Sequence, residues 1–418
     1  MKGAARIEVS GVVQGVGFRP FIHRLAEVYN LKGWVLNSGK GVIIDVEGER
    51  ENIRNFYQKI FTQAPPLARI EKKRIKPHPP NGYKSFKVKE SLIQEEKSTL
   101  VSPDISICFH CLDELFDAKD RRYRYPFINC TNCGPRFSII RDLPYDREKT
   151  TMDRFPMCSS CQEEYLNISQ RRYHTQPTAC PDCGPGVELV RSSPPPTLSG
   201  EFASRPEGSR DPRGRVRSIF KSEEAIKETI RLLKEGKIIA IKGLGGFHLA
   251  CDATSEEAVR ALRRRKKRPN KPLAIMSFDV EKIRNYCQVR EKERELLKSP
   301  QRPIVLLKKR KGSFPIAESI APGNGYLGVM LPYTPLHYLL LENSFLALVM
   351  TSGNLSGEPL ITDNQEALNR LSGIADHSLS NLMVSFIASS LLKILRTLPR
   401  GSRDPSGREA NSPDKVGG

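Results

Sequence analysis

The stretch Gly11-Val-Val-Gln-Gly15-Val-Gly17-Phe-Arg19 decides how the amino-terminal part of this 418-residue chain is read. Before it, Arg6-Ile-Glu-Val-Ser10 alternates polar and apolar side chains as a half-buried strand does. After it, Pro20 to Tyr29 has amphipathic helical spacing and opens on a proline suited to a first helical turn. Glycines between a strand and a helix N-terminus leave backbone N–H groups able to cradle a phosphate, and Arg19 can add a bidentate clamp. A tight turn with a surface arginine is the other reading of the same residues. The spacing matches neither the Walker nor the dinucleotide glycine pattern.

Outward from this loop, Gly33 to Asn37 and Gly41 to Glu47 read as a strand pair around Ser38-Gly39-Lys40. Glu51 to Phe61 reads as a second helix and Ser85 to Lys89 as the last strand. Strand, helix, two strands, helix, strand is the order of a split-βαβ, ferredoxin-like fold. The loop itself, followed by Gly33-Trp-Val-Leu-Asn37 and Glu47-Gly48, resembles acylphosphatase. The resemblance implies that Gln14, Gly15, Val16, Gly17 and Phe18 form the phosphate-binding loop, that Arg19 binds the substrate phosphate and that Asn37 positions the attacking water. An acyl phosphate is already activated, so positioning and charge stabilisation suffice without a carboxylate or histidine base.

Eight of the ten cysteines fall between residues 100 and 188, in two copies of one small unit. Cys108, Cys111, Cys130 and Cys133 recur after a shift of 50 as Cys158, Cys161, Cys180 and Cys183. Arg121-Arg122-Tyr123 likewise recurs as Arg171-Arg172-Tyr173, and Gly134-Pro135 as Gly184-Pro185. Each copy is C-x2-C, 18 residues, then C-x2-C, the spacing of two knuckles that complete a four-thiolate zinc site. Units this small need such a staple, because metal binding supplies their folding energy. Disulfides are the alternative; filled coordination favours a structural over a catalytic metal. Whether each zinc uses one copy or the copies exchange knuckles stays open, and His110 or His174 could replace a thiolate. Cys251 and Cys287 read as ordinary buried residues.

A Pro/Ser/Gly/Arg-rich stretch, taken as 189–218, reads as a linker or disordered insertion. From 219 to 376 helical and strand patterns alternate: Ala225 to Lys234 is a helix, Ile238 to Ile241 a short buried strand, Glu256 to Arg265 a helix. The last runs into Arg263-Arg-Arg-Lys-Lys-Arg268, which could be a solvated helix end, a nucleic-acid patch or a cluster facing a triphosphate. Lys266-x-Arg268, Lys271-Pro-Leu-Ala274 and Thr351-Ser-Gly-Asn-Leu-Ser-Gly357 together resemble the YrdC family, which makes carbamoyl-type adenylates from ATP. That resemblance implies that Lys266 and Arg268, with Lys271 beside them, hold phosphate and carboxylate-like oxygens. Ser352 and Asn354 would contact the nucleotide or polarise the acyl group, and Mg2+ would accompany ATP. His248 and His337 lie in the same stretches, as packed histidines or as ligand contacts.

The fold class is therefore multidomain α+β and α/β: residues 1–92 ferredoxin-like and acylphosphatase-like, 100–188 two small zinc modules, 219–376 a YrdC-like α/β domain. This order of modules resembles the HypF family, carbamoyltransferases of [NiFe]-hydrogenase maturation. The resemblance implies cleavage of carbamoyl phosphate at the first site, adenylation of the carbamate with ATP at the second, and transfer by a further carboxy-terminal domain to the terminal cysteine of the partner HypE. Residues 377–418 depart from that pattern, so the chain reads as a truncated version that hydrolyses and adenylates without completing transfer.

Composition leaves rivals open. With 67 Lys and Arg against 47 Asp and Glu, the formal charge is +20, which favours anionic partners without choosing between nucleic acid and phosphorylated small molecules. A zinc-containing RNA-binding protein is one rival, although no helix-turn-helix, RRM or C2H2 pattern is present and the basic run lacks interleaved aromatics. A threonylcarbamoyl-adenylate synthase-like enzyme is another, but it would not need Arg19 and Asn37. The longest apolar candidate, Asn381 to Leu395, is too short for a membrane helix and contains Lys393. No apolar signal segment follows Met1, and a cytoplasmic protein without a membrane partner is expected.

Overall fold

The computed structural model describes residues 2–92, 100–192, 220–310 and 315–381. The expected linker beyond Ser192 and the tail beyond Asn381 lie outside the described residues.

The first unit contains β1 (Lys2–Val12), α1 (Phe18–Val28), β2 (Lys32–Ser38), β3 (Gly41–Glu49), α2 (Arg50–Thr62), β4 (Arg69–His78) and β5 (Phe86–Val88). The sheet order is β4-β1-β3-β2-β5. Ala5, Ile7 and Val9 of β1 point inward, against Ile22, Leu25 and Ala26 of α1 and Ile53, Phe56 and Ile60 of α2. That is the period of two meeting the period of 3.6 across one core. The fold is ferredoxin-like as expected, with one correction. Its fourth strand is β4, while Phe86–Val88, read from sequence as that strand, is an added edge running parallel to β2. Arg69-Ile-Glu-Lys-Lys-Arg-Ile-Lys-Pro-His78 hides its strand character because it is an edge strand clothed in charge, which deters pairing with another chain.

The two cysteine copies follow, each with one short helix, α3 (Phe109–Phe116) and α4 (Ser159–Leu166), again 50 residues apart. Then come β6 (Val187–Arg191), β7 (Phe220–Lys221), α5 (Ser222–Lys234), β8 (Ile239–Lys242), β9 (Phe247–Asp252) and α6 (Glu256–Lys266). Next are β10 (Ile275–Met276), α7 (Val280–Arg284), α8 (Glu291–Lys298), β11 (Val305–Lys308) and β12 (Tyr326–Met330). The described part ends with α9 (Pro335–Leu341), β13 (Leu348–Ser352), α10 (Asn364–Arg370) and β14 (His377–Asn381).

Strands β6 to β14 form one nine-stranded mixed sheet, β11-β12-β10-β13-β9-β8-β14-β6-β7. Both faces are covered. Ile239, Ile241, Ala250, Leu348 and Met350 face one apolar cluster, whereas Ala240, Leu249, Cys251 and Val349 face the other. Near-continuous apolar runs such as Ile238 to Ile241 are what a doubly covered strand requires. The sheet also takes in β6 and β14, which the sequence division leaves to the linker side and to the tail; β14 pairs with β8 on one side and β6 on the other. Cysteine-rich and α/β parts share a core: Ile105, Ile107, Cys111, Leu115 and Tyr125 pack in the same cluster as Ala225, Leu336 and Leu340.

Candidate functional site

The loop from Gly11 to Arg19 connects β1 to α1 in a conformation only glycine adopts freely. Gly15 and Gly17 have φ of 72° and 73°, and Gly17 caps α1. A Cβ at Gly15 would stand 3.2 Å from Arg136 Cγ and from the Tyr145 ring. Val16 and Phe18 are buried in the ferredoxin-like core, so this loop offers backbone and not side chains to a ligand. Gln14 is a brace: its amide donates to the carbonyls of Ser38 and Gly41 at 2.8 Å each and accepts from Tyr145 N at 3.0 Å.

Arg19 and Asn37, on different elements, meet at this loop, and both are buried. Turned so that its oxygen faces Arg19, the Asn37 amide accepts from Nη2 at 3.2 Å and Nε at 3.3 Å. Its NH2 group then faces away from the guanidinium. The cysteine-rich region forms the opposite wall of the same pocket with Thr131, Arg136, Tyr145, His174 and Gln176. At its rim, Asp146 Oδ1 pairs with Arg19 Nη2 at 3.2 Å. Burial, and then the Arg19 charge, push His174 down to about 4, so its ring is neutral at pH 7. Sequence reasoning missed this wall. One signal lay in the repeat: residue 124 of the first copy is Arg and its counterpart 174 is His. Both have left-handed backbone, φ 55° and 51°, but Arg124 turns to Glu342 of the α/β domain at 2.7 Å while His174 turns to Arg19's pocket.

The cysteines gather by copy, which resolves the pairing: Cys108, Cys111, Cys130 and Cys133 in one group, Cys158, Cys161, Cys180 and Cys183 in the other. Sulfur–sulfur distances of 3.7 to 3.8 Å exclude disulfides. They fit the roughly 3.8 Å edge of a tetrahedron with ~2.3 Å zinc–sulfur bonds. Among the described residues, neither His110 nor His174 joins a group. What the copies do exchange is arginine. Arg121 donates to Cys161 Sγ at 3.2 Å and Cys158 Sγ at 3.4 Å, and Arg171 donates back to Cys111 Sγ at 3.2 Å. Arg122 grips Glu164 and the Ala179 carbonyl; Arg172 grips Glu114 and the Asn129 carbonyl. Each of these residues in the second copy is its counterpart in the first plus 50, so the two copies form an internal pair with approximate two-fold exchange. Arg136 links the first group to the glycine loop, donating to the Cys133 and Cys130 carbonyls and, at 2.8 Å, to Gly15 O.

In the α/β domain the end of α6 meets the turn after β13. Lys266 is buried and spends its three N–H groups on Ser352 O at 2.6 Å, Asn354 O at 2.5 Å and Asn354 Oδ1 at 2.9 Å. Ser352 Oγ also donates to Asn354 Oδ1 at 2.6 Å. Burial, then Arg268, push the Lys266 ammonium down to about 8. Arg268 is tied to its own loop through Pro272 O at 2.9 Å, and the Lys271 side chain is exposed. The basic run is thus no uniform patch. Arg263 donates to the carbonyls of Arg268, Pro269, Lys271, Ser319 and Ile320, and Arg265 to Asp376. Nearby, Lys242 is pushed down to about 8 by burial and donates to Asn364 Oδ1 at 2.5 Å. His248 Nε2 shares a 2.5 Å hydrogen bond with Tyr333 OH; His337 is fully buried beside it, its ring 5.9 Å away.

Family models match along the chain: one described as acylphosphatase over residues 5–88, one as HypF finger over 107–140 and 157–190, and one as telomere recombination over 231–400. The carbamoyltransferase HypF of Synechocystis is 50% identical over 370 residues, covering 88% of this chain and 45% of that protein. The probable carbamoyltransferase HypF of Methanocaldococcus jannaschii is 46% identical over 383 residues, 91% of this chain and 46% of that one. Full-length HypF solved in a phosphate- and nucleotide-bound form superposes with a TM-score of 0.80 at 48% identity, covering 91% of this chain and 47% of that one. An acylphosphatase of Thermotoga maritima, 38% identical over 87 residues, is matched over 96% of its own length by 21% of this chain. With three successive modules matched in order, the chain belongs to the HypF family and spans a little under half the length of the HypF relatives it matches.

Proposed function

We propose that the chain prepares an activated carbamoyl group: carbamoyl phosphate is hydrolysed at the Arg19 pocket, and the carbamate is adenylated with ATP and Mg2+ at the Lys266 turn. The observation that carries the first half is the Arg19–Asn37 pair at a glycine loop opening onto a helix N-terminus. There the loop N–H groups and Arg19 take the phosphate oxygens, and the Asn37 NH2 orients a water. Water attacks phosphorus, the bond from phosphorus to the acyl oxygen breaks, and carbamate leaves as phosphate releases the water's proton. Preorganised donors aimed at the developing charge usually contribute more to such a step than any other single effect.

For the second half, Lys266 holds the Ser352–Asn354 turn in shape and shares its charge with the nucleotide phosphates, while Arg268 and Lys271 flank them. The phosphate and nucleotide of the similar full-length structure support assigning one ligand to each site. Zinc at the eight cysteines is structural and lends the finger region its folding energy. The carbamoyl adenylate is destined for the terminal cysteine of HypE, in the cytoplasm, where thiolates stay reduced.

ATP–pyrophosphate exchange tests the reading. Exchange that requires carbamoyl phosphate and is lost in Arg19→Ala supports it. Exchange with threonine plus bicarbonate, or tight salt-dependent RNA binding without exchange, overturns it.

A further inference from the structure

The wall facing Arg19 contains a charge that a phosphate site should avoid. Asp146 Oδ1 stands 3.2 Å from Arg19 Nη2, the same nitrogen that the Asn37 oxygen meets at 3.2 Å. A carboxylate there repels a phosphate approaching the guanidinium. It is also held in place. Tyr145 N before it is bonded to Gln14 Oε1 at 3.0 Å, and the Arg147 guanidinium after it donates to the carbonyls of Phe155, Gln176 and Thr178. Its own carbonyl accepts from Lys149 N at 2.9 Å. Of the neighbouring polar groups of the wall, Thr131 Oγ1 donates to Arg171 O, Gln176 Oε1 accepts from Tyr165 OH, and the Arg136 guanidinium is spent on the carbonyls of Gly15, Cys130 and Cys133. Thr175 Oγ1 and Gln176 Nε2 have no protein partner, and Asp146 is the acidic group beside Arg19. A fixed carboxylate at the edge of an anion site is useful when the ligand brings a donor to meet it.

We propose that Asp146 is the specificity-determining residue of the acyl phosphate pocket: its carboxylate accepts an N–H from the acyl group, so that an amino-bearing acyl phosphate, carbamoyl phosphate, is taken in preference to one bearing a methyl group. The inference rests on the role given above to Arg19 and Asn37. It explains why the pocket is closed by the finger region: the ferredoxin-like unit supplies the phosphate clamp and the finger region supplies the reader of the acyl group. A methyl group offers this half-buried carboxylate no N–H in place of water, and a polar group left unmet by the ligand is where discrimination arises.

Hydrolysis of carbamoyl phosphate and acetyl phosphate by the full chain, followed by phosphate release, tests this. The wild-type ratio of kcat/KM should favour carbamoyl phosphate and should fall roughly ten- to a hundredfold in Asp146→Ala, with acetyl phosphate hydrolysis retained. Asp146→Asn, which keeps an acceptor oxygen without the charge, should fall between. Inhibition by inorganic phosphate should tighten severalfold in Asp146→Ala as the repulsion is removed. An unchanged ratio overturns the proposal, whether both rates hold, rise together as a displaced gate would give, or fall together as a structural role would give. Arg19→Ala keeps the two readings apart. Loss of both substrates in that variant with an unmoved ratio in Asp146→Ala overturns only the specificity role. No hydrolysis of either substrate by the wild type overturns both.

Discussion

Arg19 illustrates how little a residue's chemistry depends on its neighbours in sequence. Its guanidinium is flanked by Asn37 from β2 and Asp146 from the finger region, and the loop beneath it needs two left-handed glycines. Gly15→Ala should be costly twice over, through φ and through crowding of Arg136 and Tyr145. We expect loss of about 1–3 kcal/mol in stability by denaturant unfolding and a loss of acyl phosphate hydrolysis larger than stability alone explains. Lys266 makes a second prediction, one of pH. Because burial has already lowered its ammonium to about 8, an anion that needs the protonated form must pull a proton back on above that pH. Nucleotide affinity should be level below pH 8 and fall as pH rises past it, by up to about tenfold per unit. Calorimetric titration from below that pH to well above it reads this, and Lys266→Gln should flatten the profile. A fall that survives in Lys266→Gln moves the effect to Lys242, also pushed down to about 8.

Among the elements, those that announce themselves do so through local rules. A strand alternating over Arg6 to Ser10, an amphipathic helix after a glycine loop, and C-x2-C knuckles can each be read within a dozen residues. What the sequence concealed was set by tertiary position. β4 carries only Ile70 and Ile75 among basic neighbours because its outer edge must stay unpaired. The Asp146 and His174 wall exists only because two domains are folded against each other. The arginine exchange lies between these cases: the recurrence of Arg121-Arg122 as Arg171-Arg172 marks the residues, but not that they act across copies. Groups that touch metal-bound thiolates commonly change affinity by about ten- to a hundredfold. Arg121→Ala should therefore weaken zinc at the second copy by roughly tenfold while sparing the first, and Arg171→Ala should do the reverse. Cadmium substitution read by NMR separates the two sites; weakening confined to the copy that carries the substitution would refute the exchange.

For the whole molecule, the apolar clusters define what can fail together. The ferredoxin-like unit has a core of its own, whereas the finger region shares one with the nine-stranded sheet. Chelation of zinc should lower the Tm of the α/β part strongly and leave a separate, little-shifted transition for the ferredoxin-like part in calorimetry. Acyl phosphate hydrolysis should nevertheless be lost along with the zinc, because Arg136 runs from the Cys130–Cys133 knuckle to Gly15 and the far wall of the pocket is finger residues. A pocket that stays active after complete zinc removal would show that this linkage carries no constraint.

The reciprocal arginines also bear on how such a tandem endures. Ordinary duplicates drift apart because either copy can decay while the other suffices. Here each copy has handed part of its metal's surroundings to its twin, so neither retains a complete set. Deletion of one half leaves the survivor with cysteines whose charge has lost its counterweight. The pair is thereby bound to be inherited, and lost, as one unit.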